Sequence, residues 1–179
     1  EIASCLVGSE MCIRDSSTIV PAADIITPNQ FELGYLTERD VTDLDSTLAA
    51  VDAAREMGPS TVLVTSVKRP ETPEDAVEMI AVDGNGKWIV RTPRLPFKRN
   101  GSGDVTAALF TGHYLRGRDA KDALAKTASS VYDLLRVTLE ADSPELKLVE
   151  AQDFYANPQL QFEVCLLYTS PSPRDKRQY

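Results

Sequence analysis

Asn100-Gly101-Ser102-Gly103-Asp104, followed directly by Val105-Thr106-Ala107-Ala108-Leu109-Phe110, is the segment of the chain best equipped for chemistry. Its glycines let the backbone turn successive N–H groups toward one point, and a helix opening behind them adds positive potential there. Such a point can hold an anionic transition state, with Ser102 able to bond a phosphate oxygen and Asp104 placed to receive a proton. Phosphoryl transfer suits these parts, because the attacking hydroxyl loses its proton late and positioning counts for more than basicity. The same residues also fit a plainer description, with Asp104 as an N-terminal helix cap and Ser102 filling a tight turn.

Other polar groups could serve the same reaction. Asn29 and Glu32 are three apart, hence on one face of a helical turn, where an amide and a carboxylate could hold a hydrated Mg²⁺. They could equally form a capping box. Thr27 and Thr65 each end a predicted strand, and ligands of open α/β sheets bind outside such carboxyl ends. Arg91, Arg94, Lys98 and Arg99 precede the glycine segment and could neutralise phosphate charge, although basic runs also serve as solvated surface. His113 falls mid-helix with no nucleophile motif nearby and reads as structural, as Trp88 and Tyr114 read as packing. The chain has neither a Gly-x-x-x-x-Gly-Lys-Ser/Thr loop nor a protein-kinase signature, so nucleotide phosphates would rest on the glycine segment itself.

The elements that must position these residues follow from pattern. Ala22 to Thr27 reads as a short buried strand stopped by Pro28, and Asn29 to Leu36 as a short helix with Phe31 and Tyr35 at i, i+4. A helix from Asp43 places Leu44, Leu48, Val51 and Ala54 on one face and stops at Gly58-Pro59. Thr61 to Thr65 lacks alternation, as a strand covered on both faces would, and helix followed by buried strand predicts a mostly parallel α/β sheet. Val77–Val82 and Lys87–Thr92 flank Asp83-Gly84-Asn85-Gly86, a β-hairpin signal. The helix behind the glycine segment is expected to bury Val105, Ala108, Leu109, Gly112 and Leu115, and a third, from about Asp119 to Ala141, to bury Ala123, Leu124, Ala128, Val131 and Leu135.

Bulk properties narrow the classes. A net charge of -8 opposes sequence-independent nucleic-acid binding and gives an anionic membrane surface nothing to attract. No apolar run approaches the roughly 20 residues that span a bilayer. The cysteines, Cys5, Cys12 and Cys165, form neither a metal-site nor a disulfide spacing, so a reducing cytoplasm is expected. Residues 1–16 and 165–179 share no periodicity with the middle and read as translated adapter or vector sequence, or else as disordered tails. The expected domain is 17–164.

Taken in order, Ala23-Asp24-Ile25-Ile26-Thr27-Pro28-Asn29-Gln30-x-Glu32, Val62-Leu63-Val64-Thr65-Ser66 and Asn100-Gly101-Ser102-Gly103-Asp104 resemble the C-terminal half of a ribokinase-superfamily small-molecule kinase. Within that superfamily the segment beginning Thr27-Pro28-Asn29-Gln30 most resembles the pyridoxal kinase family of vitamin B6 salvage. The resemblance implies the C-terminal portion of a ribokinase-like three-layer sandwich, with ATP and Mg²⁺ as cofactors, pyridoxal as substrate and a homodimeric assembly. It implies that Asp104 is the catalytic base and touches the substrate, and that Gly101, Ser102 and Gly103 form the anion hole. It further implies that Thr27, Glu32, Thr65, Thr92, Pro93, Arg94 and Leu95 contact ATP, with Asn29 and Glu32 reaching the metal through water. A hydroxymethylpyrimidine or sugar kinase of the same superfamily, and a non-catalytic nucleotide-binding module, are the alternatives. The superfamily's N-terminal half has no counterpart here, so this chain is expected to bind nucleotide weakly and turn over little, with a bare sheet edge.

Overall fold

The computed structural model describes residues 18–96 and 100–167. Five strands form one sheet in the order β1 (Ile25–Ile26), β2 (Thr61–Val67), β3 (Ala76–Val82), β4 (Lys87–Pro93) and β5 (Val164–Leu166). Among the described residues five α-helices accompany it, α1 (Gln30–Thr37), α2 (Leu44–Glu56), α3 (Ser102–Gly117), α4 (Ala120–Glu140) and the short α5 (Gln152–Ala156), with a 3-10 turn at Val20–Ala22.

Side chains alternate across the sheet and feed two separate cores. Val62, Val64, Ile80 and Val82 point to one face, where Leu33 of α1 and Leu48, Val51 and Ala54 of α2 cover them. Leu63, Met79, Ala81 and Val90 point to the other, against Phe110 of α3 and Ala123, Leu124 and Ala128 of α4. Helices therefore sandwich the sheet, the three-layer arrangement expected. Each fully buried Leu, Ile or Phe contributes about 1.5–3 kcal/mol to such a core.

The expectation of a mostly parallel sheet is corrected. Only β1 and β2 run parallel among the described strands; β2 with β3, β3 with β4, and β4 with β5 are antiparallel. The reason lies in the connections. A parallel crossover takes a dozen or more residues, usually with a helix, whereas residues 68–75 between β2 and β3 hold none. The hairpin of β3 and β4 forms as expected, with Asp83 Oδ1 accepting the N–H groups of Asn85 and Gly86 across its turn. Strand β5 pairs Val164, Cys165 and Leu166 with Val90, Ile89 and Trp88, so the ladder runs across the domain limit expected at residue 164.

Helix starts follow their caps. Asp43 and Ser46 form a capping box on α2, and Asp119 accepts from the N–H groups of Lys121 and Asp122 on α4. After α2 the chain turns at Gly58, whose φ of 149° and approach to Pro21 leave no room for a β-carbon. Helix α3 differs from expectation in which face it buries. Thr106, Phe110 and His113 point inward, while Ala108, Gly112 and Leu115 are exposed. Both faces of α3 are sufficiently apolar to serve as a core face, and contact with α4 and the sheet selected the one carrying the large aromatic Phe110.

Candidate active site

Helix α3 begins at Gly101, the N-cap, which has a left-handed φ of 85°. The space a β-carbon would occupy holds only Leu146 at 3.6 Å, so conformation rather than crowding calls for glycine here. The first intrahelical bond runs from Val105 N to Gly101 O, at 3.1 Å, leaving the preceding amides outside the helical ladder. Among the described residues no side chain caps this start. Gly103 has open space beside it, and Asp104 is exposed in the first turn. Amide donors, dipole and carboxylate thus meet at a solvent-facing point.

Beside this helix start lies a cleft of about 680 Å³ between the sheet, α3 and α4. Thr65 and Ser66 from the end of β2, Thr92 to Leu95 at the exit of β4, and Ser102 and Gly103 line it. Thr106 also lines it, its hydroxyl donating to Ser102 O at 2.7 Å. The floor is apolar, from Val77 and Met79 of β3, and one wall is Ala128, Val131, Tyr132 and Leu135 of α4. A groove with an apolar floor and polar strand ends beside a glycine-started helix can take a flat aromatic group at one side and an anion at the other.

Seven of the residues singled out in the sequence therefore share one cleft: Thr65, Thr92, Pro93, Arg94, Leu95, Ser102 and Gly103. Gly101 and Asp104 adjoin it without lining it. Thr27, Asn29 and Glu32 do not line it either, but are brought alongside through the backbone: Thr65 N donates to Pro28 O at 2.9 Å, and Asn29 pairs with Thr65 in a parallel bridge. Asn29 and Glu32 form the capping box of α1, with Glu32 N donating to Asn29 Oδ1 and Asn29 N to Glu32 Oε2, each at 2.9 Å.

Each bond of the box engages one oxygen of a side chain that remains partly or fully exposed. A magnesium ion held mostly by waters and phosphates, with one carboxylate, fits this donor set. A dedicated cage does not, since the described residues contain no group of three or more His, Cys, Asp or Glu that could hold a metal.

The basic residues divide. Arg91 is committed to Glu78, donating through Nε at 3.0 Å and Nη2 at 2.7 Å, while Arg94 lines the cleft. Lys98 and Arg99 lie outside the described residues. His113 is buried, and burial, with Lys126 and Arg116 nearby, lowers its pKa and favours the neutral imidazole, in keeping with a structural role. Sequence reasoning missed the floor and wall of the cleft. Ala128, Val131 and Leu135 carried a helical apolar stripe that reads as core, and nothing local to Val77, Met79 or Tyr132 separates cleft lining from packing.

Comparison with known proteins places this geometry in a family. The phosphomethylpyrimidine kinase family matches residues 4–147, beginning inside the segment expected to be foreign. The chain is 68% identical over 152 residues to pyridoxal kinase PdxY of Corynebacterium diphtheriae, covering 85% of this chain and 53% of that protein. It is also 68% identical over 146 residues to pyridoxal kinase PdxY of Leifsonia xyli, covering 82% and 52%. The chain thus spans about half the length of the curated relatives it matches.

Among solved structures, pyridoxal kinase from Leishmania donovani in complex with ADP and pyridoxine superposes with a TM-score of 0.78 at 23% identity, covering 89% of this chain and 57% of that one. That likeness establishes the ribokinase-like fold. No described helix is long and apolar enough to cross a membrane. By the residues matched and the fold they build, this chain belongs to the phosphomethylpyrimidine kinase family.

Proposed function

We propose that the chain is the nucleotide-binding and base-bearing half of an ATP-dependent pyridoxal kinase. The observation that carries this reading is the glycine-started α3 with exposed Asp104, opening beside a cleft lined by the strand ends. The two relatives at 68% identity support the substrate, since both are named pyridoxal kinases. In this reading the base of ATP lies over Val77 and Met79 against α4, with Thr65 and the Thr92–Leu95 segment along its sugar and phosphates. The amides of Gly101, Ser102 and Gly103 face the phosphoryl group in flight, where fixed donors act without reorganising. Asp104 accepts the proton of the substrate's hydroxymethyl group as its oxygen attacks.

Asn29 and Glu32 would hold Mg²⁺ through water. The ion, when bound, supplies charge neutralisation on the phosphates. Thr27 supports the same segment. A homodimer in the cytoplasm is the expected setting. The β1 edge and the exposed residues Ala108, Gly112 and Leu115 of α3 are where the remainder of a complete kinase would pack, which is why this chain by itself should turn over little.

A chimera joining residues 18–167 to the corresponding first half of the Corynebacterium diphtheriae relative tests the roles. Asp104→Asn in that chimera should lower kcat by about 10²–10⁴-fold while largely sparing ATP binding. Activity surviving the substitution would remove Asp104 as the base. The family is named for a methylpyrimidine phosphate, which makes the parent alcohol, hydroxymethylpyrimidine, the second substrate to test. Comparing kcat/KM for the two alcohols in the unsubstituted chimera decides between them, and a preference for the pyrimidine would overturn the pyridoxal assignment.

A further inference from the structure

Gln30 belongs to the Thr27-Pro28-Asn29-Gln30-x-Glu32 segment yet has no part in the reaction described above. It is the first residue of α1, and its side chain ties three pieces of the chain together. Lys68 N donates to Gln30 Oε1 at 2.7 Å, while Gln30 Nε2 donates to Lys68 O at 3.1 Å and to Val41 O at 2.9 Å. The amide thus exchanges two bonds with the Lys68 backbone, as a neighbouring strand would, and reaches the loop before α2 with its second hydrogen. Oxygen facing a donor and nitrogen facing two carbonyls leave one self-consistent orientation for the amide.

The consequence lies one step up the chain. Thr65 N is bonded to Pro28 O at 2.9 Å, so Thr65 and Lys68 are both anchored to the segment that opens α1. Between those anchors the ladder register shifts from Val64 to Val67, and Ser66 takes a left-handed φ of 54°. A non-glycine residue holds such a conformation only where its surroundings over-determine it. Thr65 and Ser66 both line the 680 Å³ cleft, whereas Gln30 does not.

We infer that Gln30 is a positioning residue for the nucleotide site: its amide holds the Thr65–Ser66 turn in the shape that a nucleoside diphosphate or triphosphate meets, without touching the ligand. This rests on reading the cleft as the nucleotide site. Loss of the tie lets Ser66 relax toward an ordinary conformation, so binding has to restore the turn and affinity falls.

The test uses the 179-residue chain, with ADP and Mg²⁺ titrated while backbone amide resonances are followed. Gln30→Leu removes all the bonds, and Gln30→Glu keeps the acceptor for Lys68 while setting carboxylate oxygens against the carbonyls of Lys68 and Val41. Each should raise the Kd for ADP about fivefold, the equivalent of one net hydrogen bond, and should move the Ser66 and Lys68 resonances in the unliganded protein. Asp43→Ala, which uncaps α2 away from the cleft, is the control: it should lower the melting temperature yet keep the Kd within about twofold.

Gln30 variants that melt earlier but bind ADP like the parent would behave as Asp43→Ala does and overturn the inference alone. A parent chain with no ADP-dependent shifts at millimolar concentration would overturn the nucleotide reading, and the inference with it.

Discussion

Around Glu78 the protein surrounds a buried charge with side-chain partners, whereas the first turn of α3 presents an exposed carboxylate behind a glycine. Glu78 is 1% exposed, stands opposite Arg91 in the β3–β4 ladder, and accepts from Arg69, Arg91 and Thr72 at 2.7–3.0 Å. Both carboxylate oxygens are engaged from two sides, and the connection between β2 and β3 is closed over the cluster. The start of α3 offers amides, a helix dipole and an exposed carboxylate behind a glycine N-cap that has no side chain of its own, whereas α1, α2 and α4 all begin on residues whose side chains cap them. A glycine-started helix of this kind beside a cleft presents its positive end where an anionic ligand would be favoured.

Substitution at the closed region should have the larger effect on stability. Glu78→Ala leaves Arg69, only 12% exposed, with the exposed Glu71 carboxylate at 3.5 Å as its one ion-pair partner among the described residues, and should cost about 3 kcal/mol in denaturant unfolding. A cost under about 1 kcal/mol would mean the cluster behaves as a surface pair and the contrast with α3 is false.

Acid offers a gentler way to break the same cluster. Burial pushes the Glu78 carboxyl up, but hydrogen bonds from Arg69, Thr72 and Arg91 outweigh it and hold the pKa at about 2, against an ordinary 4.5. Because the folded value lies below the unfolded one, the stabilisation is complete above pH 4.5 and is lost as pH falls through about 2. Unfolding free energy should fall by about 3 kcal/mol across that window on account of this group. Glu78→Gln should flatten the decline, and an unchanged acid limb in that variant would assign the loss to other carboxylates.

The open region should respond least in stability. Gly101→Ala meets no steric barrier but must adopt a left-handed φ, at a cost of about 1–2 kcal/mol. A neutral or stabilising result would show that the glycine is not held in that conformation, and that the amides of α3 are less fixed than the contrast requires.

Much of the local structure was legible in the residues. Asp83-Gly84-Asn85-Gly86 signals a turn locally, because the Asp83 carboxylate can accept the N–H groups of Asn85 and Gly86 without help from distant residues, and both strands of the hairpin end within a residue of expectation. Asn29 and Glu32 signalled a capping box more strongly than a metal site, and the box forms with both side chains still partly or fully exposed. Strand direction was not legible from β2 itself, since Val62, Leu63 and Val64 are buried on both faces whether the neighbour runs parallel or antiparallel. Nor was the buried face of α3, where Val105, Ala108 and Leu109 offer a stripe as apolar as the one centred on Phe110.

Of the candidate site, the glycine segment and the threonines at strand ends could be found from residue type and spacing. The apolar floor and the α4 wall could not, because Met79 and Leu135 are identical in character to core residues and differ only in having a cavity in front of them. The amino-acid sequence by itself determined where the chain turns, which helices carry caps, and that one helix starts on glycines with an acid behind them. Those are properties of a few consecutive residues and their permitted backbone angles. Only the tertiary structure decided that Thr65, Thr92 and Gly103 face one cleft while Asn29 and Glu32 adjoin it through the backbone. That arrangement depends on which faces of α3, α4 and the sheet pack together, a competition among apolar surfaces that no short segment can settle alone.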